Sequence, residues 1–262
     1  MSVSYGPSLE QRALFSAAIC GQTYVQFNNP DGVFVVPFSY QFHDTIFAKS
    51  ISGTKERFGF ILESSEEIII AFRGTSSPQD WISDFIASQK RYPYLKGPLY
   101  THKGFTDIYA SSRDKLIASI RKLPDSKRLY ITGHSLGGAL ATLCALDLAA
   151  NTSFTSIQLF TFGSPRVGDP AFSKACAQYV SDSYRIANLF DIVPLAPPNV
   201  YRPPRQEEVY YFSHVKSRWM LEFQNGSVSL NHVISSYYQE LARQNPEYAA
   251  YLSRQNPGFC PQ

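Results

Sequence analysis

Gly133-His134-Ser135-Leu136-Gly137 sets one serine between two glycines, with a strand-like run before it (Lys127–Thr132) and a helix-like run after it (Ser135–Ala150). That order carries the chemistry. A hydroxyl that attacks an acyl carbon has to stand clear of the chain at a sharp strand-to-helix turn. A Cβ at Gly133 or Gly137 would collide with the chain closing beneath it. The helix N-terminus favours the negative charge that grows during acyl transfer. Ser135 is the candidate nucleophile. His134 reads as structural, because its side chain leaves the turn in a different direction.

A serine is inert without a general base, and the base needs an acid to orient it. Sites of this strand–serine–helix type take both from downstream, acid first. Two histidines qualify, His214 and His232. His214 sits inside the strand-like run Tyr210–Val215, whereas His232 stands where a loop enters a helix, and catalytic groups favour loops at strand ends. His232 is preferred. Among the acids, Asp147 falls within the nucleophile's helix, Asp169 has the place of a helix cap, and Asp182 precedes its strand. Asp191 directly follows the strand Tyr184–Phe190, at the carboxyl edge where such sheets build their sites. It competes with the simpler role of a surface turn residue before Pro194.

The oxyanion of the tetrahedral intermediate needs two convergent N–H groups. One is expected from Leu136, next to the nucleophile, and the other from the loop after an early strand. Here Ile68–Phe72 runs into Arg73-Gly74-Thr75, where Gly74 lets the backbone approach a substrate and Thr75 offers its N–H. That triplet alone is a weak signal.

These groups need a scaffold. Ser8 with Gln11 makes a capping box ahead of an apolar stripe of Leu9, Leu14, Phe15, Ala18 and Ile19. Strand-like segments follow at Gly32–Val36, Tyr40–Ala48, Phe58–Glu63 and Glu67–Arg73, the last two forming a hairpin about Ser64-Ser65-Glu66. Thr106 is placed to cap a helix bearing Leu116, Ile117, Ile120 and Leu123. Strands at Lys127–Thr132, Ile157–Phe162 and Tyr184–Phe190 then alternate with helices, one of them opened by Asp169-Pro170. Val209–Val215 and Arg218–Gln224 read as a late hairpin before a helix from His232 to Arg243. Strand–helix alternation gives right-handed crossovers and a parallel sheet covered on both faces, and the early hairpin makes that sheet mixed. The expected fold is an α/β three-layer sandwich with a central mixed, mostly parallel sheet. No linker divides the 262 residues, so one domain is expected.

Composition closes other routes. Hydrophobic residues make up 44% and the formal charge is only +3, which excludes disorder and gives nucleic acid no basic face to bind. No apolar run approaches a membrane span; Leu140–Ala150 is short and broken by Asp147. Neither G-x-G-x-x-G nor a P-loop occurs, and the four cysteines (Cys20, Cys144, Cys176, Cys260) are far apart without C-x-x-C. They read as core thiols, and no metal and no cofactor is expected. The N-terminus shows no basic-then-apolar leader, as in a cytoplasmic protein or a mature secreted one.

With the motifs assembled, the chain resembles the class 3 lipases, the fungal-type triacylglycerol lipase family of the α/β-hydrolase superfamily. The resemblance runs through Phe72-Arg73-Gly74-Thr75, Asp80-Trp81-Ile82-Ser83-Asp84, His102-Lys103-Gly104-Phe105, Gly133–Ala139, Thr161–Gly168 and Asp191-Ile192-Val193-Pro194, in the family's order. It implies Ser135, Asp191 and His232 as the triad and Thr75 with Leu136 as the oxyanion pair. The missing leader, and the absence of a counterpart to the family's disulfides, point to a bacterial member. The resemblance also implies a lid after the oxyanion strand. Ser77-Pro78 would open a short amphipathic helix with Trp81, Ile82, Phe85 and Ile86 on its apolar side, against the simpler alternative of an ordinary surface helix. The expected activity is hydrolysis of lipid esters, triacylglycerols first, at an oil–water interface. Feruloyl-type esterase, phospholipase A1 and polyester hydrolase share the same triad, and a catalytically dead binding module is the non-enzymatic alternative.

Overall fold

A computed structural model describes residues 7–75, 87–204 and 207–262. Helices α1 (Leu9–Asn28), α2 (Lys103–Ile120), α3 (Leu136–Asn151), α4 (Pro170–Tyr179), α5 (Ile234–Gln244) and α6 (Pro246–Gln255) pack about the strands. The strands are β1 (Gln41–Lys49), β2 (Lys55–Glu63), β3 (Glu67–Phe72), β4 (Gln89–Arg91), β5 (Tyr100–His102), β6 (Arg128–His134), β7 (Ile157–Phe162), β8 (Asp182–Asn188), β9 (Val200–Tyr201), β10 (Tyr210–Tyr211) and β11 (Arg218–Leu221).

Among the described residues, seven strands form the central sheet in the order β1-β2-β3-β6-β7-β8-β11. The pairs β1–β2 and β2–β3 are antiparallel, and all later neighbours are parallel. The sequence of β3, Glu-Ile-Ile-Ile-Ala-Phe, shows why. It lacks polar alternation because every residue is buried between two helical layers. On one face α2, α3 and α4 cover a core that includes Ile68, Ile70, Phe105, Leu140 and Leu159. On the other, α1, α5 and α6 cover Ile69, Phe160, Phe162, Ile186 and Tyr237. The chain has the α/β-hydrolase fold. No described helix is long and apolar enough to cross a membrane, and all four cysteines are free thiols.

The capping box at Ser8 and Gln11 forms, and Leu14, Phe15, Ala18 and Ile19 are buried while Leu9 stays exposed. Four sequence expectations are corrected. Gly32–Val36 is extended but joins no ladder; the Val35 N–H is taken by the Gln22 side chain at 2.8 Å, which satisfies the backbone without a neighbouring strand. Thr106 is no cap, because its helix starts earlier. The imidazole of His102 accepts the Phe105 N–H, and the Thr106 hydroxyl donates back to the His102 carbonyl within the first turn. The late hairpin does not form either. Tyr210–Tyr211 pairs with Val200–Tyr201, and Arg218–Leu221 joins the edge of β8 in parallel. Period-two patterning identifies a strand and leaves its partner open, and the unpaired edge of β8 was the better template. Finally, His232 lies ahead of the helix, which begins at Ile234.

Candidate active site

Strand β6 is the fourth of the seven strands, and its carboxyl end delivers Ser135 directly into α3. Ser135 holds φ 57° and ψ −128°, a conformation costly for any residue with a Cβ. The flanking glycines make that turn possible. A Cβ on Gly133 would stand 2.1 Å from the Gly137 carbonyl oxygen, and one on Gly137 would stand 2.2 Å from that of Phe72. The tight turn aims the side chain toward the loops above the sheet.

Two of those loops bring partners. His232 Nε2 lies 2.9 Å from Ser135 Oγ, and His232 Nδ1 lies 2.7 Å from Asp191 Oδ2. All three residues are at most 3% exposed. The carboxylate can only accept, so Nδ1 carries the ring proton and Nε2 is left to accept from the serine hydroxyl. Asp191 sits three residues beyond β8 and is itself held. Its Oδ1 accepts the Val193 N–H at 2.9 Å, and its Oδ2 also accepts the Tyr237 hydroxyl at 2.7 Å. Burial, then the charge of Asp191, pushes the Tyr237 phenol well above its usual range, so it remains a donor. Asn188, the last residue of β8, donates its side-chain amide to the Asn231 carbonyl and steadies the loop before His232.

The loop after β3 lies against Ser135. A Cβ on Gly74 would come within 2.9 Å of both the Ser135 Cβ and the His134 carbonyl oxygen, so only glycine lets the chain pass this closely. Thr75 follows, with its hydroxyl oxygen buried and without a hydrogen-bond partner among the described residues. Leu136 is the first residue of α3, where backbone N–H groups have no intrahelical acceptor. A cavity of about 300 Å³ opens beside these groups, lined by Phe27, Thr75, His232 and Val233 among others. Trp81, Ile82 and Phe85, expected in a lid, lie outside the described residues, as does the whole of 76–86.

The rejected candidates have other duties. His214 turns away and places Nε2 2.7 Å from the Pro194 carbonyl oxygen; burial first, then Arg185, lowers its pKa to about 3. Asp147 is fully buried and accepts from Tyr109, Arg113 and Asn151, tying α2 to α3. Asp169 caps α4 through the Phe172 N–H, and Asp182 begins β8. Three residues that the sequence did not single out support the site: Tyr24, Tyr237 and Gly163. Gly163 has φ 54°, and a Cβ there would stand 2.9 Å from Asp191 Oδ2 and 3.1 Å from His232 Nδ1. Its signals were its place after the strand Ile157–Phe162 and its membership of the stretch Thr161–Gly168 that carries the resemblance. Among the described residues, no group of His, Cys, Asp and Glu is arranged to hold a metal ion.

Comparison with known proteins follows the same lines. The family described as Lipase (class 3) matches residues 69–201, half of the chain. A lipase of Rhizomucor miehei is 39% identical over 157 residues, covering 58% of this chain and 43% of that protein. A secreted mono- and diacylglycerol lipase of Fusarium solani is 31% identical over 158 residues, covering 58% of this chain and 46% of that protein. The chain thus spans less than half the length of these curated relatives. Among solved structures, the Rhizomucor miehei lipase propeptide complex superposes with a TM-score of 0.62 at 28% identity, covering 79% of this chain and 73% of the other. By its motifs, its fold and this match, the protein belongs to the class 3 lipase family.

Proposed function

We propose that this protein is a serine hydrolase of carboxylic esters in lipids, with triacylglycerols as its first substrates, acting as a single domain. The observation that carries the proposal is the buried hydrogen-bonded line from Asp191 through His232 to Ser135, at 2.7 and 2.9 Å. In this mechanism Ser135 Oγ attacks the ester carbonyl carbon as its proton passes to His232 Nε2. Asp191 stabilises the resulting imidazolium and keeps the ring in the useful tautomer. The oxyanion accepts hydrogen bonds from the backbone of Thr75 and Leu136, and the α3 N-terminus adds favourable potential. His232 then protonates the departing alcohol. Water, deprotonated by the same imidazole, releases the acid from Ser135.

The test is covalent labelling by an alkyl phosphonate ester, with the modified peptide mapped, beside turnover of an emulsified triglyceride, a phospholipid and a series of p-nitrophenyl esters. Labelling confined to Ser135, with the triglyceride turned over fastest, supports the proposal. Labelling with the phospholipid fastest would transfer the substrate to that class. An unlabelled Ser135 would leave a binding module in place of an enzyme.

A further inference from the structure

His134 occupies the position before Ser135, and its ring packs against that of His232, with centroids 4.7 Å apart. It is 3% exposed, with each ring nitrogen 2.7 Å from a partner: Nδ1 from the Tyr24 hydroxyl of α1, and Nε2 from the backbone carbonyl of His232. The chemistry of the partners fixes every proton. A carbonyl only accepts, so Nε2 carries the hydrogen and Nδ1 must accept from Tyr24 O–H. The Tyr24 oxygen in turn accepts the Gly74 N–H at 3.1 Å. One directed line therefore runs from the Gly74 N–H to the Tyr24 hydroxyl, then to His134 and the His232 carbonyl. It joins the loop that carries Thr75 to the residue that carries the base.

We infer that Tyr24 and His134 are positioning residues: together they hold the Gly74–Thr75 backbone and the His232 backbone in mutual register across the nucleophile. Physical reasons favour this over a purely structural network. The two loops come from distant strands of the sheet, and a buried, fully satisfied polar line constrains angles where apolar packing leaves them loose. The charge state of the ring is also constant. Burial, then the neighbouring His232, holds His134 well below the ordinary histidine range, and burial raises Tyr24 above the ordinary tyrosine range. The line keeps one set of donors and acceptors across the working pH range. The cost of loosening it falls on the transition state, because oxyanion donors and base act through geometry that misplacement by about 1 Å degrades up to a hundredfold.

The inference rests on Ser135 being the nucleophile, so wild-type labelling by the phosphonate is the control. The test compares wild type, Tyr24→Phe, His134→Gln, His134→Leu and the double variant Tyr24→Phe/His134→Leu. Each is assayed for kcat and KM on a soluble short-chain ester, for phosphonate labelling rate, and for Tm. Tyr24→Phe is expected to lose about tenfold to a hundredfold in kcat, with KM within about twofold; stranding the Gly74 N–H and His134 Nδ1 should also lower Tm by about 2 to 8 °C, leaving the enzyme folded at the assay temperature. The labelling rate should fall in parallel. His134→Gln, which keeps a donor toward the His232 carbonyl, should retain more activity than His134→Leu. The double variant should be no worse than the poorer single one by more than about twofold, since one line is broken only once. A folded Tyr24→Phe enzyme with wild-type kcat and labelling rate overturns the inference, even where His134→Leu fails to fold. Multiplicative losses in the double variant also overturn it. If wild-type Ser135 is not labelled at all, the hydrolase proposal itself has failed.

Discussion

Tyr237 and His232 donate to the same oxygen of Asp191, each at 2.7 Å. The Tyr237 oxygen also accepts the Asn188 N–H at 3.0 Å, which links the end of β8 to the acid just beyond it. Tyr237→Phe removes a hydrogen bond to a buried carboxylate and strands the Asn188 N–H. The expected loss is about 2 kcal/mol of stability, with kcat reduced severalfold because the remaining bonds still orient Asp191. Urea denaturation and steady-state kinetics on the same preparation check both numbers. A variant as stable as wild type would show the phenol to be a spectator.

Ser135→Ala should reduce turnover by roughly a millionfold, as when a triad acts as one unit, with its circular dichroism unchanged. Ser135→Gly should be equally inactive and more stable than Ser135→Ala by about 1 kcal/mol, since φ 57° with ψ −128° costs a glycine little. Thermal melts of the pair decide the matter. Equal melting temperatures would mean that the turn stores no strain at this residue.

Gly163→Ala meets two obstacles at once, a positive φ and a methyl group pressed to 2.9 Å from Asp191 Oδ2 and 3.1 Å from His232 Nδ1. We expect kcat to fall by about tenfold to a hundredfold through displaced acid and base. Stability should fall by about 1 kcal/mol or more from the backbone. Normal kcat in a folded Gly163→Ala variant would count against close dependence on this contact.

Acid should weaken the fold before the carboxylates titrate. Burial lowers His102 and His214 to about 3, and holds His134 well below its ordinary value. These rings stay neutral when folded and bind protons when unfolded. Their contribution is therefore complete above the ordinary histidine value of about 6.5 and is lost progressively between there and about 3, by up to about 1.4 kcal/mol per pH unit for each group. Denaturation midpoints measured from about pH 8 to about pH 4 in wild type and His214→Gln check the sign. The variant should lose less stability on acidification while keeping wild-type kcat at neutral pH, because its amide can still donate to the Pro194 carbonyl.

Much of the candidate site's arrangement was legible because its signals are local. The glycines around Ser135 report a steric need within a few residues, and Asp191 could be ranked by its place after a strand. His232 was separable from His214 because one adjoins a helix start and the other an extended run. The supporting residues gave no such sign. Tyr24 sits in a helix 110 residues before His134 and meets it only through packing. Tyr237 looks like any aromatic on a buried helix face. The late hairpin failed for the same reason: alternation in Arg218–Leu221 marks a strand, but its partner Arg185–Asn188 lies far upstream.

The order of the strands has a kinetic consequence. Ser135 and His232 are 97 residues apart, and the loop that carries His232 follows β11, which pairs with the edge of β8. Contacts closing so long a loop form slowly compared with helices. During refolding, far-ultraviolet circular dichroism should therefore recover first and phosphonate reactivity at Ser135 last. On that expectation Ser135 reports on completion of the sheet, and a chain whose β11 is not yet placed carries an unarmed serine.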